Sequence, residues 1–141
     1  MKLVIVSGLS GAGKTIALHS LEDMGAYCVD NLPVGLLPAF AKQTYHLGEN
    51  CPECVAVGVD ARTISNHDMP TLLQALNGTV LPRQVLFLEA DDIILIKRFS
   101  ETRRKHPLTK RDVPLAEAIK HERQLLEPLA HYASCRINTS L

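Results

Sequence analysis

Gly8, Gly13, Lys14 and Thr15 lie in the string GLSGAGKT, residues 8–15, directly after the apolar run LVIV. Their spacing, G-x-x-x-x-G-K-[ST], is that of a loop that cradles phosphate. Each residue type has a physical reason. The glycines admit backbone conformations that aim several N–H groups inward at phosphate oxygens. A helix beginning at Lys14 adds the positive end of its dipole. The Lys14 ammonium can reach the β- and γ-phosphates, which makes it a catalytic candidate, and the Thr15 hydroxyl can ligate Mg²⁺. The context such a loop requires is a strand before it and a helix after it, and both are legible here.

A phosphate loop of this kind works with a carboxylate that holds magnesium or its water, placed at the end of a neighbouring strand. Asp30, Asp60 and Glu89 each close an apolar run. VAVGVD, ending in Asp60, is nearest to an apolar-run-then-Asp pattern, so Asp60 is the candidate for the metal and for catalysis. Asp30 precedes NLP and faces the same sheet edge if the strands are parallel, because ligands gather at the carboxyl ends of strands. It can equally form a turn with Asn31. Glu89 is left as a strand-end carboxylate. Arg62, two residues beyond Asp60, sits where a loop would overhang the site.

Lys97, Arg98, Arg103, Arg104, Lys105, Lys110 and Arg111 crowd one segment, with Glu101 among them. Three readings compete. Arginines on a lid after the fourth strand neutralise transferring phosphate in small kinases, and residues 98–111 occupy that place in the order of elements. A basic patch can instead bind RNA phosphates. A solvated helix face accounts for Lys97 and Lys105.

The elements that would position these groups alternate along the chain. KLVIVS (2–7) reads as a buried strand. From Lys14 the pattern is helical, with Ala17, Leu18, Leu21 and Met24 on one face and Gly25 as the stop. AYCVD (26–30) is a second strand, and VGLLPAFAKQTYHL a helix interrupted or restarted near Pro38. CVAVGVD (54–60) is a third strand, and Asp68 is a cap for a helix over TLLQALNG. QVLFLEA (84–90) is the fourth. Asp91 caps DIILIKRFSETRRK, where Ile93, Ile96 and Phe99 supply a stripe. LAEAIKHERQLLEPLAHYA is helix, bent or restarted at Pro128, and SCRIN is a fifth strand. This alternation predicts an α/β fold: a parallel five-stranded sheet with helices on both faces, as in nucleotide kinases.

The totals set bounds. At 141 residues with 46% apolar composition, the chain is one domain, residues 1–141, with enough length to bury a core. Lys+Arg and Asp+Glu balance at 15 each, so net charge argues neither for nor against nucleic acid. Aromatics at 4% with no Trp support a base-stacking platform poorly. LVIV is too short for a signal peptide, and no run approaches the roughly 20 apolar residues of a membrane span, so a cytoplasmic protein is expected. Cys51 and Cys54 form CPEC, half of a zinc pattern without a second half, and read as loop cysteines. Cys28 and Cys135, in apolar strand-like runs, are expected as buried thiols. The chain stops at NTSL just after the fifth strand, as a minimal domain or the front of a longer protein would. A homo-oligomer is compatible with the sequence.

Several strings then coincide in order: GLSGAGKT, YCVDNLP, VDAR, RFSETRRKHPL and the closing INTSL. Together they resemble the N-terminal P-loop domain of the RapZ/YvcJ family of bacterial nucleotide-binding proteins, the RNase adapter family, over essentially the whole chain. VDNLP with RFSETRRKHPL carries most of the specificity. The resemblance implies binding of ATP and GTP, with weak nucleotide hydrolysis. It carries ATP binding to Gly8, Leu9, Ser10, Gly11, Ala12, Gly13, Lys14 and Thr15, and guanine-nucleotide binding to Asp60, Ala61, Arg62 and Thr63. Family members are roughly twice this length. Their C-terminal domain is associated, in enteric bacteria, with small regulatory RNAs that control glucosamine-6-phosphate synthase and with presenting such RNA to ribonuclease E. CRINTSL departs from the family pattern, with Asn138 where an acidic residue would precede Thr-Ser.

Three functions follow as expectations. The first is a regulatory domain that binds ATP or GTP with Mg²⁺ and hydrolyses it slowly, with output through another domain, RNA or a ribonuclease. The second is a small-molecule or nucleotide kinase, with Asp30 as base or substrate anchor and residues 98–111 as lid. The third is an RNA-binding module acting through the basic segment alone.

Overall fold

The computed structural model describes residues 2–50, 52–60, 83–102 and 114–140, with Pro70, Gln74, His106 and Leu108 besides. Within them the chain runs β1 (Lys2–Gly8), α1 (Lys14–Asp23), β2 (Tyr27–Val29), α2 (Leu37–Tyr45), β3 (Cys54–Gly58), β4 (Arg83–Glu89), α3 (Asp92–Thr102), α4 (Leu115–Tyr132) and β5 (Cys135–Asn138). The helix expected over TLLQALNG, with its cap Asp68, lies outside the described residues.

The strands form one sheet in the order β2-β3-β1-β4-β5, every neighbouring pair parallel. Its centre follows from sequence. Continuous apolar runs suit strands covered on both faces, and Ile5, Val6, Val55, Ala56 and Val57 are fully buried. In register, Ile5 sits between Val57 and Val85, so the core is densest where β1 meets its two partners. β5 is an edge strand exposed along its length, and Cys135 is therefore an exposed thiol rather than the buried one expected. Cys28 is half-buried, its thiol directed at the Leu18 carbonyl at 3.4 Å. Burial, then the charges of Glu22 and Cys54, raise its pKa and keep it protonated.

Helix ends obey local rules. At the end of α1, Gly25 N–H donates to Glu22 O at 2.9 Å and Ala26 N–H to Leu21 O at 3.0 Å, the paired bonds of a Schellman stop. Pro38 falls in the first turn of α2, where its missing N–H is harmless, after a short 3-10 turn over Val34–Leu36. Pro128 lies inside α4, which continues through it as one helix of 18 residues and is not restarted. Two apolar stripes differ from expectation. Leu18 is the buried anchor of α1, whereas Met24, one residue past the helix, faces solvent. In α3 the buried pair is Leu95 and Phe99, at i and i+4, while Ile93 is 79% exposed. Equal hydrophobicity gave no way to choose; the direction of approach to the sheet did.

Candidate functional site

Parallel strands place all five carboxyl ends on one edge, which is where the sequence carries Gly8, Asp30, Asp60, Glu89 and Asn138. The loop after β1 turns through three glycines of positive φ, Gly8 (154°), Gly11 (87°) and Gly13 (104°), into the first residue of α1. Its amides divide into two groups. Leu9 N–H donates to Leu88 O at 3.0 Å, Ser10 N–H to Glu122 Oε1 at 2.8 Å, and Ala12 N–H to Leu9 O at 3.0 Å. The amides of Gly11, Gly13, Lys14 and Thr15 have no partner among the described residues. These four, with the N-terminus of α1 behind them, make a cradle of donors suited to an anion. Leu9, Ser10 and Ala12, expected as binding residues by resemblance, spend their amides on the shape of the loop.

The loop carbonyls are held as firmly. Arg98 Nη1 donates to Gly11 O at 2.9 Å, and Thr139 Oγ1 donates to Ala12 O at 2.8 Å. Arg98 also bonds the Thr139 hydroxyl and carbonyl. Fixing the negative ends of these peptides on protein donors keeps them from a bound phosphate. Arg98, expected to open a lid segment, is thus tied to the back of the loop. Arg103, Arg104, Lys105, Lys110 and Arg111, on which the lid and RNA readings fall, lie outside the described residues.

Lys14 reaches across the cradle. Its Nζ stands 3.2 Å from Asp30 Oδ1 and 3.5 Å from Asp60 Oδ2, so the three charged candidates meet. Asp60 is buried and Asp30 half-exposed. The turn read for Asp30 is present as well, because the same Oδ1 also accepts the Asn31 N–H at 2.8 Å, with Asn31 at φ 57°. A cavity of about 280 Å³ opens here, lined by Gly13, Lys14, Thr15, Asp30 and Asp60 among others. Glu89 has a separate partner: it pairs with Arg136 at 2.9 Å, tying β4 to β5 and raising the Arg136 pKa through that hydrogen bond. Asn138 donates to Asp91 Oδ1 at 3.3 Å and accepts the Ser140 N–H at 2.9 Å, so an amide suits a position that faces a carboxylate. Ala61, Arg62, Thr63 and Cys51 lie outside the described residues.

The donors around Lys14 are hard oxygens, the Thr15 hydroxyl and the Asp60 and Asp30 carboxylates. Among the described residues no three His, Cys, Asp or Glu converge as a metal cage. That donor set fits Mg²⁺, which takes one or two carboxylates and completes its shell with phosphate oxygens and water.

The model of the RapZ-like N-terminal domain matches residues 1–141. The chain belongs to this family. A nucleotide-binding protein of Halorhodospira halophila is 50% identical over 143 residues, and one of Hahella chejuensis is 48% identical over 142. Each match covers 99% of this chain and 50% of the relative, so the chain spans about half the length of the curated relatives it matches. Among solved structures, shikimate kinase from Bacteroides thetaiotaomicron superposes with a TM-score of 0.53 at 16% identity, covering 97% of this chain and 86% of the kinase. Deoxyadenosine kinase from M. mycoides gives 0.51 at 14% identity, covering 100% and 92%. These likenesses establish the fold, a parallel P-loop sheet of the nucleotide-kinase kind flanked by helices.

In this RapZ-like domain the residues that sequence reasoning missed are those behind the site. Glu122, buried in α4, carries no motif. Gly58 did leave a signal, since glycine inside a strand marks a close approach. A Cβ there would overlap Asp30 Oδ1 and come within 2.9 Å of Leu18 Cδ1. Gly58→Ala should therefore swing Asp30 off Lys14 while costing about 1–2 kcal/mol of stability. Nucleotide titrations check this. Gly58→Ala should match Asp30→Ala, and the double variant should lose no more than either one, within about 0.5 kcal/mol.

Proposed function

We propose that this domain binds ATP or GTP as the Mg²⁺ complex and hydrolyses it slowly, serving as the nucleotide-responsive part of an RNase-adapter-type regulatory protein. The observation that carries the reading is Lys14, held between Asp30 and Asp60 beside four loop amides that have no partner among the described residues. A triphosphate entering the cradle would take the amides and the ammonium. Thr15 and Asp60 would hold the magnesium, which would supply neutralisation of phosphate charge. Without that cation, two carboxylates would face the phosphate, so affinity should depend strongly on Mg²⁺. Titrating ATP and GTP with and without Mg²⁺ tests this. In Asp60→Asn the gain from Mg²⁺ should shrink by about ten-fold, and an unchanged gain removes Asp60 from the metal site. The relatives' name, nucleotide-binding protein, and the family resemblance support the same assignment. Regulatory RNA and a ribonuclease would then be partners of a full-length protein, together with control of glucosamine-6-phosphate synthase.

One observation favours a second reading. Asp30 Oδ1 receives Lys14 and Asn31, while Oδ2 has no partner among the described residues, and Asp30 lines the cavity. A carboxylate so placed could orient or deprotonate a hydroxyl acceptor, as a small-molecule kinase requires. Turnover that stays slow across a panel of hydroxylic acceptors counts against it.

A further inference from the structure

Glu122 is a fully buried carboxylate that lies 112 positions along the chain from Ser10, the loop residue it touches. Its Oε1 accepts the Ser10 N–H at 2.8 Å and its Oε2 the Ser10 hydroxyl at 2.6 Å. A third donor is His106, whose Nε2 lies 3.1 Å from Oε1. The tautomer follows from the other ring nitrogen: His106 Nδ1 accepts the Leu108 N–H at 3.1 Å, so the proton is on Nε2 and is donated to Glu122. The His106 ring packs on Phe99, centroids 5.1 Å apart, and the Phe99 edge lies against Gly11, where a Cβ would come to 3.2 Å.

We propose that Glu122 and His106 are positioning residues of the phosphate loop. This rests on the nucleotide reading above. A carboxylate gripping both donors of one residue fixes the Ser10 peptide plane, and the peptides that follow carry the amides left for phosphate. His106 holds the carboxylate in the one rotation that serves both Ser10 donors, and Phe99 supports the ring from below. A buried carboxylate normally opposes folding unless it is well satisfied, and three charge-assisted donors satisfy this one. Loop amides placed before the ligand arrives need no reorganisation on binding, so loosening the brace lowers affinity while every phosphate-contacting group remains.

The test is titration of the folded chain with Mg-ATP and Mg-GTP. Glu122→Leu and His106→Leu keep the volume and remove the bonds, and each should weaken binding by about ten-fold. Glu122→Gln and His106→Gln can rebuild the contacts. The side-chain amide introduced by the first donates to Ser10 Oγ, and the one introduced by the second donates to the Glu122 carboxylate. Each should return to within about three-fold of wild type. Ser10→Ala, a small change at a half-buried site, should weaken binding by about three-fold and serves if the leucine variants do not fold. The Ser10 amide resonance, shifted by its bond to a carboxylate, should move in His106→Leu although His106 reaches Ser10 only through Glu122. Unchanged affinity in the leucine variants or in Ser10→Ala overturns the proposal, as does an equal loss in leucine and glutamine variants. A wild-type chain that binds neither nucleotide overturns the nucleotide reading instead.

Discussion

Lys14→Ala should reduce affinity for Mg-ATP and Mg-GTP by roughly 100-fold or more, in a chain that remains folded. The ammonium is the only charge among the cradle's described donors, since the others are backbone amides, and it already stands within 3.5 Å of both site carboxylates. Its removal also leaves Asp30 and Asp60 facing the incoming phosphate without a cation between them. The fold does not depend on it, because the sheet core beneath the loop is apolar and closed. Calorimetric titration measures the loss, and circular dichroism reports the fold. Affinity unchanged from wild type would remove the loop from the nucleotide site altogether. Lys14→Arg should recover little, because a planar guanidinium cannot place one compact charge between two carboxylates and a phosphate.

Gly8→Ala should be the most destabilising single change in the loop. Gly8 is the last residue of β1 and is paired with Leu88 of β4. Its φ is 154°, and a Cβ would overlap the Leu88 carbonyl oxygen and come to 2.9 Å of the Leu88 nitrogen and Cβ. Those atoms are backbone or directly attached to it, so no rotamer change relieves the overlap. The two central strands must part where Leu9 N–H donates to Leu88 O. A loss of more than about 3 kcal/mol is expected, lowering the midpoint of thermal unfolding by about 10 °C. Thermal and urea unfolding check it. A variant of wild-type stability would mean that the loop leaves the sheet by another path. Gly13→Ala contrasts with it, since among the described residues no non-local atom lies within 4 Å of that Cβ position and the positive φ is what opposes the change.

The two variants divide the glycine-rich string into chemistry and geometry, a division the letters alone do not make. GLSGAGKT names its glycines equally, yet Gly8 is required by a neighbouring strand and Gly13 by a backbone turn. The alternation of strand and helix was legible because apolar runs and helical stripes are local patterns, readable without knowing what they touch. Strand ends at Asp30 and Asp60 were legible for the same reason. Which apolar residue of a stripe is buried was not, as Met24 and Ile93 show, since that depends on the angle at which a helix meets the sheet. Arg98 looked like its basic neighbours until the fold placed it against Gly11 O and Thr139.

By itself the sequence determined that a phosphate loop stands between a strand and a helix, that carboxylates close two nearby strands, and that the sheet is parallel. All of these follow from short-range periodicity and from residue types whose chemistry is fixed. Only the tertiary structure decided that Lys14 lies between Asp30 and Asp60, that Gly58 makes room for Asp30, and that Glu122 and Thr139 grip the loop from behind. These are meetings of residues from 16 to 127 positions apart. A buried carboxylate or a threonine hydroxyl leaves no periodic trace, because its partner is chosen by the order of strands across the sheet and not by the order of residues along the chain.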